Sequence, residues 1–306
     1  MKIIVTGGCG FIGSHLVDKL VELGYSVSVI DNLSTGKIEN LNKNAKFYNI
    51  DIRDRKIEKI FLSEKPEIIF HLAAQINLRK STIEPILDTE INVVGSINVI
   101  ENFLKLKNRK KFIFASTGGA IYGNTKILPT PETIEPFPLS PYGISKLTIE
   151  KYLYYLWQLK KLKFVALRYG NVYGPRQNPF AEAGVIAIFS MKMLRKEKCI
   201  IFGDGKQTRD FIYIDDVIRA NISFMKKELT GIFNVGTEIE TSVNEIFDLI
   251  KKNIDGKAEK IYKKEKEGEV KRSCLSIKKI KKYLGWKPEI SLEEGIKKTI
   301  QSFNIL

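Results

Sequence analysis

The chain has 306 residues, 43% of them hydrophobic, with three dispersed cysteines, two histidines and a formal net charge of +15 at pH 7. This composition supports one large core with a second lobe and excludes a membrane span, a disulfide framework and a histidine-rich metal site, which predicts a cytoplasmic protein with reduced thiols. The lysines are spread along the chain without interleaved aromatic residues, so the charge predicts a solvated surface that attracts anions rather than a nucleic-acid partner.

The first half of the chain alternates short apolar runs with longer helical patterns. The first strand starts at residue 2, which leaves no room for a signal peptide. The predicted strands are 2–6, 26–30, 46–50, 68–71, 111–116 and 163–168, and the predicted helices between them are 11–23, 56–63, 85–106 and 142–162. Buried strands that alternate with helices predict an α/β fold with a doubly wound parallel sheet of the Rossmann type.

The rhythm changes after residue 168, where Gly and Pro punctuate a series of loops. The predicted elements that follow are strands 198–202, 211–213 and 231–235 and helices 184–194, 243–253, 276–284 and 292–303. We expect strand 231–235 to return to the main sheet. Residues 1–170 with about 212–240 are therefore predicted to form a nucleotide-binding domain, and 171–211 with 241–306 a smaller C-terminal α/β substrate lobe.

Three glycines in steps of three follow the first strand and open the first predicted helix: Gly7, Gly10 and Gly13. Backbone N–H groups at a helix start bind anions, and glycines permit a pyrophosphate to approach closely. A lone glycine pattern is weak evidence, but Asp31 ends the second strand 18 residues past Gly13. A carboxylate there can bind ribose hydroxyls and repels a 2′-phosphate, which favours NAD over NADP.

Two further strand ends face the same edge of the predicted sheet. Asp51 and Ile52 follow the third strand, where an adenine could be bound. The run Leu72-Ala73-Ala74-Gln75 follows the fourth strand and offers small residues where a dinucleotide must pass. His71, at the end of that strand, is interpreted as packed and hydrogen-bonded rather than catalytic.

Tyr142 and Lys146 are four residues apart and share one face of a predicted helix. A free tyrosine has a pKa of about 10, too high for an efficient base near neutrality, whereas a nearby ammonium favours the phenolate. Thr117, at the end of the preceding strand, can hydrogen-bond the oxygen whose proton moves. The alternative, a chance pattern, is weakened by the glycine loop that precedes it.

The helix that starts near Tyr142 carries aromatic residues on more than one face, namely Tyr152, Tyr154, Tyr155 and Trp157. An ordinary surface helix has one apolar stripe. The excess predicts burial on two sides, one against the sheet and one against a second copy of the chain, which indicates a homodimer. The alternative is that these aromatic residues lie scattered on a rim.

Seven segments in this order resemble the extended short-chain dehydrogenase/reductase family, and within it the UDP-galactose (UDP-glucose) 4-epimerases. The segments are TGGCGFIG at 6–13, DNLSTG at 31–36, HLAAQ at 71–75, STGGAIYG at 116–123, PYGISK at 141–146, RYGNVYG at 168–174 and GDGKQTRDF at 203–211. The similarity extends over essentially the full length. It is highly specific for the superfamily and less specific for the substrate.

This resemblance implies a tightly held NAD and reversible C4 epimerisation of a UDP-hexose through a 4-keto intermediate. Tyr142 is then the base, Lys146 binds the nicotinamide ribose and tunes Tyr142, and Thr117 orients the 4-oxygen. The implied cofactor-binding residues are Gly7, Gly10, Phe11, Ile12, Gly13, Asp31, Asn32, Ser34, Thr35, Gly36, Asp51, Ile52, Leu72, Ala73, Ala74, Gln75, Asn92, Ser116, Tyr142, Lys146 and Tyr169. The implied substrate-binding residues are Thr117, Asn171, Val185, Phe202, Arg209 and Lys266, with Arg209 on the diphosphate or, alternatively, in an ion pair with Asp204 or Asp210.

Two positions separate this chain from related 4,6-dehydratases and uronate decarboxylases, which carry acidic residues close after the active-site threonine. Here those positions are Gly118 and Gly119. The remaining alternatives are a uronate 4-epimerase or a net dehydrogenase, and a non-catalytic NAD-sensing protein.

The chain also departs from the epimerase pattern in its last part. Lys266 stands where many epimerases have a second diphosphate-binding arginine, for which Arg272 could compensate. The family's gate for the sugar C2 substituent aligns with Ser273, and a small gate predicts activity on N-acetylated sugars.

Overall fold

The structure, a computed structural model, describes residues 1–180, 184–254, 258–265 and 270–303. Its strands are β1 Lys2–Thr6, β2 Ser26–Asp31, β3 Lys46–Asn49, β4 Ile68–His71, β5 Lys111–Thr117, β6 Phe164–Tyr169, β7 Asn171–Tyr173, β8 Cys199–Phe202, β9 Thr208–Arg209, β10 Phe211–Tyr213, β11 Gly231–Val235, β12 Thr241–Ser242 and β13 Lys260–Lys263. Its helices are α1 Phe11–Glu22, α2 Ile57–Glu64, α3 Leu78–Ile83, α4 Pro85–Thr89, α5 Ser96–Leu104, α6 Gly118–Ile121, α7 Pro141–Lys160, α8 Val185–Leu194, α9 Ile214–Ser223, α10 Val243–Asn253, α11 Lys278–Leu284 and α12 Leu292–Phe303. A 3₁₀ turn at Ile38–Asn40 and a π-helical segment at Glu90–Gly95 complete the described elements.

The central sheet has seven strands in the order β11-β6-β5-β4-β1-β2-β3. β1 pairs in parallel with both β2 and β4. From β1 the sheet continues to one edge through β2 and β3, and from β4 it continues to the other edge through β5, β6 and β11. The strand order therefore reverses between β1 and β4, and ligands of doubly wound sheets bind outside the carboxyl ends of the strands at such a point. The predicted α/β class is confirmed, as is the return of strand 231–235 to the main sheet.

One compact unit comprises Met1–Ile121, Pro138–Arg168 and Ile218–Phe233. Its core lies on both sides of the sheet, because the inner strands β1, β4, β5 and β6 are buried along most or all of their length. Members of this core include Ile4, Ile69, Phe103, Phe112, Phe114, Ile149 and Leu153.

The second compact unit comprises Tyr122–Phe137, Tyr169–Val217 and Asn234–Leu306. It contains three two-stranded pairs, β7 with β10, β8 with β13 and β9 with β12. Helix α8 packs on α10 and α12, and the rings of Phe189 and Phe247 meet edge to face at 6.0 Å. The functional division into a nucleotide domain and a substrate lobe stays a prediction.

The predicted helix 85–106 is wrong as a continuous element, because α4 and α5 are separated by the π-helical segment. Helices α3, α6 and α9 were not predicted, and neither were strands β7, β9, β12 and β13. The residues of β13 are mostly exposed and lack the alternation of a half-buried strand. Within the described ranges, no helix combines the length and the apolar character that crossing a membrane requires.

Candidate active site

The loop between β1 and α1 contains two glycines, Gly7 and Gly13, at which a side chain would collide with the backbone. Gly7 has φ +72°, and a Cβ there would lie 2.7 Å from the backbone nitrogen of Ala73. A Cβ on Gly13 would lie 2.0 Å from the carbonyl oxygen of Gly7. The N-cap of α1 is Gly10, which provides no side chain to bind the first N–H groups of the helix. The loop therefore leaves room and unsatisfied donors for an anion such as a pyrophosphate.

Asp31 lies beside this loop and is 8% exposed. Its carboxylate accepts hydrogen bonds from the backbone N–H groups of Cys9 at 2.9 Å and Leu33 at 2.8 Å. Each carboxylate oxygen has a second lone pair, so the fixed group can still accept from ribose hydroxyls. The glycine loop and Asp31 therefore fit a dinucleotide with an unmodified ribose.

The loop that follows Asp31 closes against the glycine loop. The Lys37 N–H donates to the carbonyl of Cys9 at 3.0 Å, and a Cβ on Gly36 would lie 3.0 Å from Asp31. Ser34 and Thr35 are exposed, and the Ser34 N–H donates to the side chain of Asn32. The predicted cofactor residues of this loop thus form a rim on one side of the helix start.

Asp51 and Ile52 have different surroundings at the end of β3. Arg53 holds the Asp51 carboxylate through its Nε and Nη2, both at 2.9 Å, and this contact lowers the pKa of Asp51 to about 2. Asn32 also donates to Asp51, at 2.8 Å. Ile52 is buried, and a Cβ on Gly95 would lie 2.8 Å from its side chain. The Asp51 carboxylate is therefore held in place and stays ionised around neutral pH.

The segment from Leu72 to Gln75 is half-buried and held by Asn92. The Asn92 amide accepts from the Gln75 N–H at 2.8 Å and donates to the Gln75 carbonyl at 2.9 Å. Asn92 also donates to the carboxylate of Asp88 at 2.9 Å and is 2% exposed. Its side chain is thus engaged within the protein, where it fixes the segment that follows β4.

Asp88 is a functional candidate that the sequence analysis missed. It is fully buried and also accepts from Gln75 at 3.0 Å and from the Ser145 hydroxyl at 2.7 Å. The available signal was the four-residue spacing to Asn92 on a helical pattern. Asp88 connects the cofactor-side segment to the helix that carries Tyr142.

Tyr142 and Lys146 project from the first turns of α7, which Ser140 caps by accepting from the Gly143 N–H at 3.2 Å. A Cβ on Gly143 would lie 2.5 Å from the carbonyl oxygen of Ala120, so this turn rests directly on α6. The Lys146 Nζ lies 5.8 Å from the centroid of the Tyr142 ring and donates to the carbonyl of Ala115 at 2.8 Å. The predicted proximity of Tyr142 and Lys146 is therefore present in the structure.

Thr117 ends β5 and is half-buried, immediately before α6. Its hydroxyl oxygen accepts from the Ala120 N–H at 3.2 Å, which leaves the hydroxyl proton available to donate. Tyr142 is also half-buried, so a ligand can reach its ring.

The pKa of Tyr142 is not lowered in the protein alone, and that expectation was wrong. Burial raises the pKa of Tyr142, and the nearby charge of Asp88 raises it further. Burial also lowers the pKa of Lys146 to about 8, although Asp88 and Glu150 act in the opposite direction. Desolvation is the largest cause of both pKa shifts, so a phenolate here needs an additional positive charge.

Two predicted residues are fixed by the protein itself. The Ser116 hydroxyl donates to Glu150 at 2.6 Å, and Glu150 forms a fully buried two-bond pair with Arg168 at 3.0 and 2.6 Å. A contact of Ser116 with the cofactor would therefore come from its main chain. His71 is fully buried and hydrogen-bonded to Thr6 and Ser96, and burial lowers its pKa to about 3, as its interpretation as a packed residue requires.

Apart from Thr117 in the first unit, the predicted substrate residues that the structure describes lie in the second unit. Asn171 starts β7, Val185 starts α8, Phe202 ends β8 and Arg209 ends β9, and all four are half-buried. Tyr169, predicted on the cofactor side, ends β6 and is 5% exposed.

The two departures from the epimerase pattern have different outcomes. Lys266 lies outside the described residues. Arg272 engages Glu240 through two bonds at 2.9 and 2.5 Å, so its fork is already occupied. The buried Ser273 donates its N–H to the carbonyl of Thr208 at 3.2 Å, next to Arg209.

These features together define a dinucleotide-dependent enzyme. They are a doubly wound parallel sheet, a glycine loop where the strand order reverses, and the Tyr142–Lys146 pair on α7. Residues 3–236 match the model of the NAD dependent epimerase/dehydratase family. The chain belongs to this family. The match confirms the predicted family, and the cofactor of this enzyme is NAD.

Three similar proteins each cover at least 97% of the chain. A putative UDP-glucose 4-epimerase of Methanocaldococcus jannaschii is 50% identical over 298 residues, 97% of each chain. The structure of UDP-glucose 4-epimerase from Thermotoga maritima with UDP-glucose is 51% identical, with a TM-score of 0.98 over 100% of this chain and 99% of that one. The Thermus thermophilus UDP-glucose 4-epimerase in complex with NAD is 40% identical, with a TM-score of 0.95 over 99% of both chains. These similarities confirm the predicted enzyme class.

Proposed function

We propose that the chain catalyses the reversible C4 epimerisation of a UDP-hexose, with UDP-glucose and UDP-galactose as the pair interconverted. The observation that carries the proposal is the joint placement of Tyr142 and Lys146 on the first turns of α7, where that helix rests on α6 behind Thr117. A non-catalytic NAD-sensing protein would have no need of all three groups together.

The proton moves through Tyr142. Its phenolate accepts the proton of the sugar 4-hydroxyl and later returns a proton to the 4-oxygen, while the Thr117 hydroxyl orients that oxygen. When bound, NAD would supply a reversible hydride acceptor, which takes the C4 hydride and gives it back to the other face of the keto sugar, and its oxidised form would add the positive charge that favours the phenolate. Between the two transfers the 4-keto sugar turns about its diphosphate link and presents its other face.

Lys146 has two tasks in this scheme. One of its three N–H donors is fixed on the carbonyl of Ala115, and the others are available for a ribose hydroxyl. Its charge stabilises the phenolate of Tyr142 once the site is closed to water.

The cofactor is held by the glycine loop through its pyrophosphate and by Asp31 through its adenosine ribose. Asn32 to Gly36 and Asp51 line the adenosine side, and Leu72 to Gln75 line the path toward the nicotinamide. The close approach of Gly7 to Ala73, where even a Cβ would not fit, supports this placement.

Asn171, Val185, Phe202 and Arg209 are proposed to hold the nucleotide-sugar, with Arg209 on the diphosphate. Lys266 remains a proposed second cation for that group. Arg272 is a poorer candidate because Glu240 occupies its fork. The small side chain of Ser273 supports acceptance of an N-acetyl group at C2.

The glycines after Thr117 argue against elimination and decarboxylation. Gly118 and Gly119 offer no carboxyl group to protonate or deprotonate the sugar beyond C4. A uronate 4-epimerase shares the same C4 chemistry and differs only in the substituent at C5.

We also propose that the chain is a homodimer. The exposed face of α7 carries Tyr152, Tyr155 and Leu159 in one stripe, at 42, 53 and 62% exposure. Ile83 and Ile86, at 78 and 76% exposure, lie on α3 and α4, which pack on α7. An apolar surface of this kind fits an isologous two-fold interface.

Replacing Tyr155 and Leu159 by lysine should convert dimers to monomers in light-scattering measurements, whereas Tyr283→Lys, an exposed aromatic on α11, should not. A monomeric wild-type protein at micromolar concentration would contradict the dimer.

A cytoplasmic location and a place in galactose metabolism are further proposals. The location is supported by Cys9, Cys199 and Cys274, which are free and buried, as is usual where thiols stay reduced. The pathway follows from the proposed sugar pair alone.

The decisive experiment incubates purified protein, without added cofactor, with UDP-glucose, UDP-N-acetylglucosamine or UDP-glucuronate, and identifies products by NMR. We expect UDP-galactose from the first and the C4 epimer of the second, with NAD retained by the protein. Turnover of UDP-glucuronate alone would favour a uronate 4-epimerase. Inversion of none of them by a protein that holds NAD would refute the proposal.

A further inference from the structure

A basic cleft of about 670 Å³ lies at the amino ends of β5 and β6. Its walls come from the segments 107–111, 160–163 and 225–228 together with Met1, all within the first compact unit. Eight of its twelve lining residues are lysine or arginine, and one, Glu228, is acidic. We refer to it as the basic cleft.

The basic cleft is separate from the catalytic residues. Lys111 starts β5 and Thr117 ends it, so the two sites lie about 20 Å apart along the strand. One belongs to the amino edge of the sheet and the other to the carboxyl edge. The proposed epimerase chemistry uses none of the lining residues.

Structural roles account for only part of this charge. Lys110 pairs with Glu67, and Lys163 pairs with Glu228. Lys111 is 3% exposed and donates to the carbonyls of Phe224 and Lys227, which makes it part of the wall.

The carboxyl ends of nearby helices neutralise a further part of the positive charge of the basic cleft. Helices α5, α7 and α9 end here, and each carboxyl end carries a partial charge of roughly −0.5. Set against the five basic residues that remain after Lys110, Lys111 and Lys163, these three ends leave an excess of about three to four positive charges. The excess is more than helix capping requires, so the cleft is a ready site for an anion of several charges.

The lining also narrows the class of anion. The volume falls within the range of sites for small molecules, about 300–1,000 Å³. None of the described lining residues is aromatic, so there is no surface on which a base would stack. Lysine ammonium groups, which dominate the lining, bind phosphate as point charges.

We propose that the basic cleft binds a small oligophosphate anion through its chain of phosphates, without recognition of a base. Lys107, Lys160 and Lys226 are exposed and lie on three different walls, so they can converge on one ligand. This site is independent of the proposed epimerase activity.

The test uses inorganic tripolyphosphate as the probe in isothermal titration calorimetry, with saturating UDP present to block the diphosphate subsite. The variant combines Lys107→Glu, Lys160→Glu and Lys226→Glu. Its matched control combines Lys251→Glu, Lys281→Glu and Lys297→Glu, which are exposed lysines of the second unit and change the net charge equally. Thermal unfolding verifies that both variants are folded.

We expect saturable one-to-one binding by the wild-type protein, weakened at least about tenfold in the cleft variant and less than about twofold in the control. Equal weakening in both variants would show general attraction by net charge and overturn the proposal, as would the absence of saturable binding. Tighter binding of an RNA oligonucleotide than of tripolyphosphate, lost in the same cleft variant, would overturn the assignment to a small anion.

Discussion

The hydroxyl of Ser145 donates to the buried carboxylate of Asp88 at 2.7 Å, in the turn of α7 between Tyr142 and Lys146. The same carboxylate raises the pKa of Tyr142 and the pKa of Lys146. Asp88 therefore does two things at once: it holds the helix that carries the base, and it sets the electrostatic potential in which the base ionises.

Asp88→Asn removes the charge and keeps the shape. Without a nearby anion the phenolate of Tyr142 becomes easier to form, so we expect the acid limb of the pH profile of kcat/KM to move to lower pH. Ser145→Ala is the matched control, because it removes the hydrogen bond and leaves the charge. A shift of the limb to higher pH, or an equal shift in the control, would show that Asp88 acts only through position.

Tyr142→Phe removes the proposed base. Turnover should fall by about 10²–10⁴-fold, because that is what a general base contributes. Bound NAD, measured in the protein after denaturation, should be retained, since the ring still packs in place. Tyr283→Phe, an exposed tyrosine on α11, serves as the control and should turn over normally. Near-normal rates in Tyr142→Phe would mean that another group takes the proton.

The glycine loop allows a graded test of the cofactor cradle. An added Cβ would lie 2.0 Å from the Gly7 oxygen at Gly13 but 3.2 Å away at Gly10. Gly13→Ala should therefore purify with little NAD and lose about 1–3 kcal/mol of unfolding free energy or more, because the backbone must shift. Gly10→Ala should retain more NAD and lose less unfolding free energy than Gly13→Ala. The reverse order of the two variants would rule out this packing as the reason for the glycines.

The buried pair of Glu150 and Arg168 should dominate the attachment of α7 to β6. Glu150→Ala removes the carboxylate that pairs with the buried guanidinium of Arg168 and should cost about 3–5 kcal/mol in urea unfolding. Glu22→Ala, which breaks the exposed pair with Lys19, should cost less than about 0.5 kcal/mol. Similar losses in the two variants would indicate that water reaches Arg168.

Local sequence signals predicted the parts of the site that depend on local geometry. The glycine spacing, the carboxylate at the end of β2 and the Tyr142–Lys146 pair each arise within a single turn or strand end. The pairing of Glu150 with Arg168 spans 18 residues and exists only once α7 packs on β6. The spacing of Asp88 to Asn92 was a local signal, but its contacts with Gln75 and Ser145 span 13 and 57 residues and exist only in the folded chain.

The sign of the Tyr142 pKa shift could not be predicted from the sequence either. Spacing shows that an ammonium is near, but only the packed structure shows how far both groups are desolvated and that Asp88 faces them. Strand β13 was missed for a related reason, since its exposed residues carry no pattern of burial.

Asp210 allows a test of stability against pH in the second unit. It is fully buried, and burial raises the pKa of its carboxyl to about 6, although hydrogen bonds from Thr237 and Leu275 act in the opposite direction. Because the pKa in the folded state exceeds the unfolded value of about 3.9, the stabilisation from its proton is present below pH 4 and is lost as the pH rises through about 6.

Asp210→Asn stays neutral at every pH, so its unfolding free energy lacks this term. The advantage of the wild-type protein over the variant should therefore shrink by up to about 3 kcal/mol between pH 4 and pH 7, measured by urea unfolding at each pH. The neighbouring Cys274 does not interfere, because burial raises its pKa to about 12. A difference that stays constant, or that grows with pH, would show that Asp210 is ionised in the folded protein throughout this range.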